Sequence, residues 1–156
     1  MYKSLLDRLT NQHEAINYII QDISHEALER KTLSDKWSIK DNIAHLARYQ
    51  NVFAERINQI LTSYQPHFRR YSAERDNEFE IWRQHSVSHL LNSIKDDRRT
   101  ICFNVSNLSD EDIHKIGVHE KFGAMTLIQW TEFFILHEAH HIYTIFQLAK
   151  EKSQVP

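Results

Sequence analysis

The chain has 156 residues, of which 41 % are hydrophobic, enough for one sizeable core and too few to leave much room for a second folded unit. Two glycines and two prolines cannot supply a sandwich or barrel that turns every ~8–12 residues, so the fold class reads as all-α. A formal net charge of −2 without a basic stripe argues against nucleic acid, the lone Cys102 allows no internal disulfide, and no apolar run approaches the ~18 residues of a membrane span or resembles a signal peptide. A cytoplasmic protein without a membrane partner is expected. The 11 histidines are the oddity that directs the search for function.

The first helix is predicted over residues 2–24, where Leu5, Leu9, Ile16, Ile20 and Ile23 recur at the spacing of one helical face. His13 falls in a gap of that stripe and reads as a core histidine, with a place in the wall of a metal pocket as its functional alternative. After a polar stretch to Trp37, Ser38 stands three residues ahead of Asp41 as a capping-box variant. It opens a second helix carrying Ile39, Ile43, Leu46, Phe53, Ile57 and Ile60, which fades near Tyr64 ahead of Pro66. The third helix is predicted over residues 77–107, with Phe79, Trp82, Leu90, Ile94, Ile101 and Val105 inside. His85 and His89 share an i, i+4 spacing on its solvated side, and Cys102 reads as a buried, inert thiol because no basic neighbour favours a thiolate.

Both glycines, Gly117 and Gly123, fall in the next connection, which is long for a helix–helix turn and has room for a short extended piece. Thr126 and Gln129 form a capping box for the last helix, predicted to reach about Lys150. Trp37, Trp82 and Trp130 read as core aromatics. Four long amphipathic helices with at least one long crossover make a four-helix bundle, taken as one unit over residues 1–152 with a frayed tail at 153–156.

The last helix places Leu127, Trp130, Phe134, His137, His141, Ile145 and Leu148 on one face. Two imidazoles a turn apart can reach one metal ion, and burying them unpartnered would be costly. His140 projects about 100° away and is not expected to join them. The segment from His137 to His141 also spells HExxH. A metzincin would need glycine and histidine where Thr144 and Gln147 stand, and too little chain follows for a downstream third ligand, so a peptidase is set aside. A di-iron centre fails similarly: the second ExxH, Glu111 to His114, falls in a connection, and facing glutamates are missing. The third ligand must lie upstream, and His45 on the shoulder of the second helix's stripe is best placed. Three neutral imidazoles leave coordination positions open, as a reactive site requires. Tyr49 and Glu138 join His13 as candidates for the pocket, Glu138 in an outer or solvent-facing role ahead of that of a water-activating base.

The segment from Trp37 to Leu46, WSIKDNIAHL, resembles the W-S-x-K-[DE]-x-[LI]-x-H-L pattern of DinB-like proteins, the damage-inducible-type bundles that include bacterial low-molecular-weight thiol transferases. The stretch from His119 to Leu127 and the segment from His137 to Ile142 are similar to that family's approach to, and core of, its last helix. The resemblance implies an up-down-down-up bundle with a divalent metal, zinc or nickel ahead of iron or manganese, held by His45, His137 and His141. It further implies a small-molecule substrate and a thiol cofactor presented to an electrophile. Metal-dependent hydrolysis, a non-catalytic metal- or ligand-binding module and a homodimer are the accompanying alternatives.

Overall fold

The computed structural model describes residues 1–33 and 36–152; the tail expected to fray, 153–156, lies outside them. The first predicted helix is two, α1 (Lys3–Asn11) and α2 (Ala15–Ile20), joined by a single 3₁₀ turn at Gln12–Glu14. It also stops short of the predicted end. Ser24 instead caps a separate short helix, α3 (His25–Glu29), its hydroxyl accepting from the Ala27 N–H at 3.2 Å. α4 (Ile39–Thr62) starts where its cap requires: Ser38 Oγ accepts from the Asp41 N–H at 3.0 Å, and the Asp41 carboxylate accepts from the Ser38 N–H at 3.0 Å.

The third predicted helix is also interrupted, giving α5 (Asn77–Gln84) and α6 (Val87–Ser106). His85 and Ser86 between them are extended, and Ser86 Oγ accepts from the His89 N–H at 3.2 Å. A serine satisfies orphan N–H groups better at a cap than in a helix interior, and this local preference overrides the continuous apolar spacing. His85 and His89 therefore sit on different sides of a helix break, their rings 4.3 Å apart, one half-buried and one exposed.

The long connection before the last helix holds α7 (Asp110–Ile113) and a hairpin of β2 (Ile116–His119) and β3 (Gly123–Thr126). β1 (His67–Phe68), from the α4–α5 crossover, pairs in parallel with β2, giving the order β1-β2-β3. The all-α bundle is borne out, with this small sheet added in its connections. Gly123 takes φ +74° at the end of the hairpin loop, a conformation open to glycine at little cost. Gly117 has a different reason: a Cβ there would lie 2.8 Å from Ile60 Cγ1 and 2.9 Å from Phe68 Cε2. α8 (Leu127–Lys152) then starts from its capping box, with the Thr126 N–H donating to Gln129 Oε1 at 2.9 Å.

Two apolar clusters stack along the bundle. One joins Ile16, Ile20, Ile43, Leu46, Leu90, Ile94 and Ile145; the other joins Leu5, Leu9, Phe53, Ile57, Ile101, Trp130 and Phe134. The order in which each helix visits them sets its direction. α1–α2 and α8 run from the second cluster to the first, whereas α4 and α6 run the other way, which is the up-down-down-up arrangement. Between the clusters each helix contributes polar side chains: Gln12 and His13, His45 and Gln50, Arg98, then His137, Glu138 and His141. This polar waist holds the candidate site. No helix among the described residues is long and apolar enough to cross a membrane.

Candidate metal centre

α4 supplies His45 to the waist, and α8 supplies His137 and His141 a turn apart on the face toward α4. His45 Nε2 and His137 Nε2 are 3.0 Å apart, and the His141 ring lies 4.4 Å from His45 and 4.7 Å from His137, centroid to centroid. One ring nitrogen from each residue lies within 4.8 Å of the others. Tetrahedral zinc with bonds of ~2.0–2.1 Å would space its ligand nitrogens about 3.3 Å apart, so small ring movements bring the three to one ion.

Hydrogen bonding at His141 and burial of all three rings favour imidazoles that present lone pairs rather than charges. Asn42 donates from Nδ2 to the Ser38 carbonyl at 2.8 Å, which turns its Oδ1 toward His141 Nδ1 at 2.9 Å. An amide oxygen only accepts, so Nδ1 of His141 carries the proton and Nε2 carries the lone pair, the usual support of a metal-bound histidine. Burial, reinforced by repulsion from neighbouring imidazoles, pushes the pKa of His45 down to about 2, His137 to about 3 and His141 to about 4. All three are neutral at pH 7. Nδ1 of His45 and of His137 is buried without a hydrogen-bond partner, a desolvation cost that a core built for stability alone would avoid.

The walls are aromatic. Trp37 stacks near His141 at 5.9 Å and lies 5.0 Å from His45, so the residue read as a core aromatic packs directly on two of the three imidazoles. Tyr49 lies 4.2 Å from the His137 ring, and its hydroxyl accepts from Arg56 Nη1 at 3.1 Å. Tyr71 lies 5.6 Å from His45 and donates to Asp76 at 2.9 Å; burial raises the pKa of both tyrosines. Above them opens a cleft of about 1040 Å³ that reaches the hairpin and the β1 crossover.

Two other expected pocket residues lie elsewhere. Glu138 is fully buried on another side of α8, 2.6 Å from Arg98 Nη2, because one residue along a helix turns the side chain by about 100°. The glutamate of the HExxH string therefore does not reach the imidazoles. His13 lines a separate cavity of about 410 Å³ with Asn17, Leu91 and Lys95; burial and the charges of Arg98 and Lys95 lower its pKa to about 4. His140 is exposed at the cleft's rim, 5.3 Å from the His141 ring. Cys102 is half-buried, with its pKa raised by that burial, as an inert thiol would be. Among the described residues, the three clustered histidines form the one group with metal-ligand geometry.

Sequence reasoning missed Asn42 and Arg56. The signal for Arg56 was present: it interrupts the stripe of Phe53, Ile57 and Ile60 at a core position, where a charged side chain calls for an explanation.

Fold and cluster together define a class, an up-down-down-up four-helix bundle with a histidine centre at its waist. The chain belongs to the DinB superfamily, whose family model matches residues 8–145. Among solved structures it is similar to YfiT from Bacillus subtilis, described as a probable metal-dependent hydrolase with an unusual four-helix bundle topology. The TM-score is 0.84 and the identity 17 %, over 97 % of this chain and 87 % of that one. It is also similar to an uncharacterized protein from Clostridium difficile 630, with a TM-score of 0.67 and 12 % identity over 99 % of this chain and 98 % of that one. At these identities the likeness is one of fold. No curated protein matches the sequence significantly.

Proposed function

We propose that the chain is a metal-dependent enzyme acting on a small molecule, with His45, His137 and His141 as the ligands of one divalent ion and its remaining coordination positions turned to the cleft. The observation that carries this reading is the meeting of three neutral imidazoles, His45 buried and His137 and His141 half-buried, at the floor of an open cleft, with the tautomer of His141 set by Asn42. Imidazole donors suit zinc or nickel, with iron or manganese bound less tightly. Such an ion supplies Lewis acidity, which favours the ionised form of a water or a thiol at neutral pH.

The residues of the chain do the remainder. Asn42 orients His141, Trp37 and Tyr49 hold the imidazole rings from either side, and these aromatic walls limit water at the floor. Between the two reactions open to such a centre, transfer of a low-molecular-weight thiol to an electrophile is favoured over hydrolysis. The carboxylate of Glu138 is committed to Arg98, leaving no carboxylate base from the HExxH string beside the rings. A thiolate nucleophile, once ionised, needs none. Hydrolysis is the second reading, supported by the description of YfiT. The proposal includes a cytoplasmic location and a homodimer built on the exposed Leu136, Tyr143 and Phe146 of α8.

Metal analysis of untagged protein, followed by cobalt spectra with and without small thiols, tests the reading. One equivalent of metal and a thiol-dependent spectral change are expected. Metal without any response to thiols would replace transfer by hydrolysis or binding, and no metal at all would overturn both reactions.

A further inference from the structure

A second polar feature is built into the same cleft, beyond Tyr49 as seen from the three imidazoles. Arg56 is only 7 % exposed. Its guanidinium donates from Nη1 to the Tyr49 hydroxyl at 3.1 Å and from Nη2 to the Arg69 carbonyl at 3.0 Å, and it faces the rings of Trp130 and Phe68 at 5.3 and 5.5 Å. Arg48, Arg83 and Arg98 each meet a carboxylate, at 2.8, 2.7 and 2.6 Å. Arg56 forms no ion pair among the described residues. A guanidinium has five N–H donors and cannot shed its charge, so a buried, unneutralised arginine lining a cleft is a costly arrangement that an arriving anion would relieve.

His119 faces the same space and is 3 % exposed. Its Nδ1 accepts from the backbone N–H groups of Lys121 at 2.9 Å and Phe122 at 3.3 Å in the hairpin loop. Two N–H donors on Nδ1 require a lone pair there, so the ring is neutral with its proton on Nε2, and burial and the nearby charge of Arg56 lower its pKa in the same direction. That Nε2–H has no partner among the described residues. Around the opening, the bases Arg69, Arg70, Arg75 and Lys121 outnumber the acids Glu74 and Glu120, although the whole chain carries a net charge of −2. Local concentration of positive charge in a concave site draws in anions.

We propose that the cleft selects a substrate or co-substrate bearing an oxyanion, a carboxylate or a phosphate, which Arg56 and the Nε2–H of His119 receive while the reacting group lies over His45, His137 and His141. The choice of substrate class rests on the enzymatic reading above; the anion site itself stands on Arg56 and His119. Tyr49 joins the two ends, touching His137 with its ring and Arg56 with its hydroxyl. Planar, two-pronged oxyanions match a guanidinium's fork.

The test uses inorganic phosphate and succinate as probes, titrated by calorimetry into protein freed of metal with a chelator, so that direct capture of the anion by a metal cannot contribute. Saturable binding of at least one probe is expected, with the tighter of the two naming the oxyanion. Arg56→Gln should weaken it at least tenfold, and Arg56→Lys should retain part of it. Equal affinity in a folded Arg56→Gln variant, or no saturable binding of either probe, would overturn the proposal. Should that variant fail to fold, nitrogen-15 spectra of the unmodified protein decide. His119 should show the Nε2–H tautomer and shift at Nε2 as the probe binds, and an unmoved resonance at saturation would overturn the anion site. Loss of the metal reading would appear separately, as unchanged zinc affinity in His45→Ala with phosphate or succinate binding intact.

Discussion

Two polar clusters occupy the waist of the bundle back to back on α8, and they are finished differently. On one side Arg98 and Glu138, 1 % and 0 % exposed, are fully matched. Arg98 donates to Glu138 at 2.6 Å, to Gln50 at 3.1 Å and to the Leu9 carbonyl at 2.8 Å, while Gln12 donates to Glu138 at 3.0 Å. On the other side His45, His137 and His141 share one close nitrogen–nitrogen contact, leave two ring nitrogens unpartnered and open to a cleft. Consecutive residues, His137 and Glu138, belong to the two clusters. A buried polar group whose every partner lies within the protein ties the fold together. One left incompletely matched beside an opening is kept for a ligand.

The largest effect is expected on the closed side. Removing one member of a buried ion pair leaves an uncompensated charge and typically costs ~3–5 kcal/mol. Glu138→Ala should therefore lower the unfolding free energy by about that much in urea titration, while the folded fraction keeps its metal affinity. Arg98→Met combined with Glu138→Leu should recover much of the loss, because two apolar side chains leave no orphaned charge. A stability loss in Glu138→Ala below ~1 kcal/mol, or loss of metal from the folded variant, would move Glu138 to the other cluster.

On the open side the expected effects are on metal rather than on folding. His137→Ala and His141→Ala should each remove most of the bound metal and leave the helical circular dichroism spectrum unchanged, since the apolar clusters do not depend on an ion. His45→Ala should weaken metal affinity more than tenfold, at least the loss that removal of a supporting partner brings. Stoichiometric metal in a His137→Ala, His141→Ala double variant would sink the assignment.

How much of this contrast was legible in the sequence depends on the distance over which each feature is specified. The caps at Ser38 and Thr126 are local, and helical spacing alone placed His137 and His141 on one face. His45 is the best-placed upstream histidine, but it sits only on the shoulder of its stripe, so spacing specifies it less firmly and the family pattern adds the support. The pairing of Glu138 with Arg98 joins side chains 40 positions apart, and no local pattern specifies it. The break at Ser86 escapes the sequence because apolar spacing continues through it; the long connection leaves room for an extended piece, but its four-residue strands are too short for alternation to mark them as a hairpin. Trp37 was correctly read as packed, but periodicity cannot say that it packs on imidazoles.

His13 tests whether burial alone sets the behaviour of a waist histidine outside both clusters. Its pKa is near 4 when folded and about 6.5 when unfolded. As pH falls below 6.5 the unfolded chain takes up a proton that the folded protein refuses until about pH 4, so stability drops across that window and is fully present above it. The slope is at most about 1.4 kcal/mol per pH unit for one group. His13→Leu should reduce the stability loss of metal-free protein between pH 7 and 5 by up to about 2 kcal/mol; an unaltered slope would show that His13 is protonated in the fold.

The smallest effects separate the two neighbours of His141. Asn42 accepts from its Nδ1 at 2.9 Å and so fixes both ring orientation and tautomer, whereas His140 approaches only ring to ring at 5.3 Å from an exposed position. Asn42→Ala should weaken metal affinity about tenfold, the low end for loss of a ligand's hydrogen-bond partner. It leaves the three imidazoles in place but frees His141 to rotate and to carry its proton on the nitrogen that faces the metal. His140→Ala should change metal content at pH 7.5 not at all, because that side chain projects off the ligand face. Competition titrations against a chromophoric chelator resolve a tenfold change and bound a null one. A loss in His140→Ala equal to that in Asn42→Ala would mean that α8 presents a different face to α4 than the hydrogen bond to Asn42 requires.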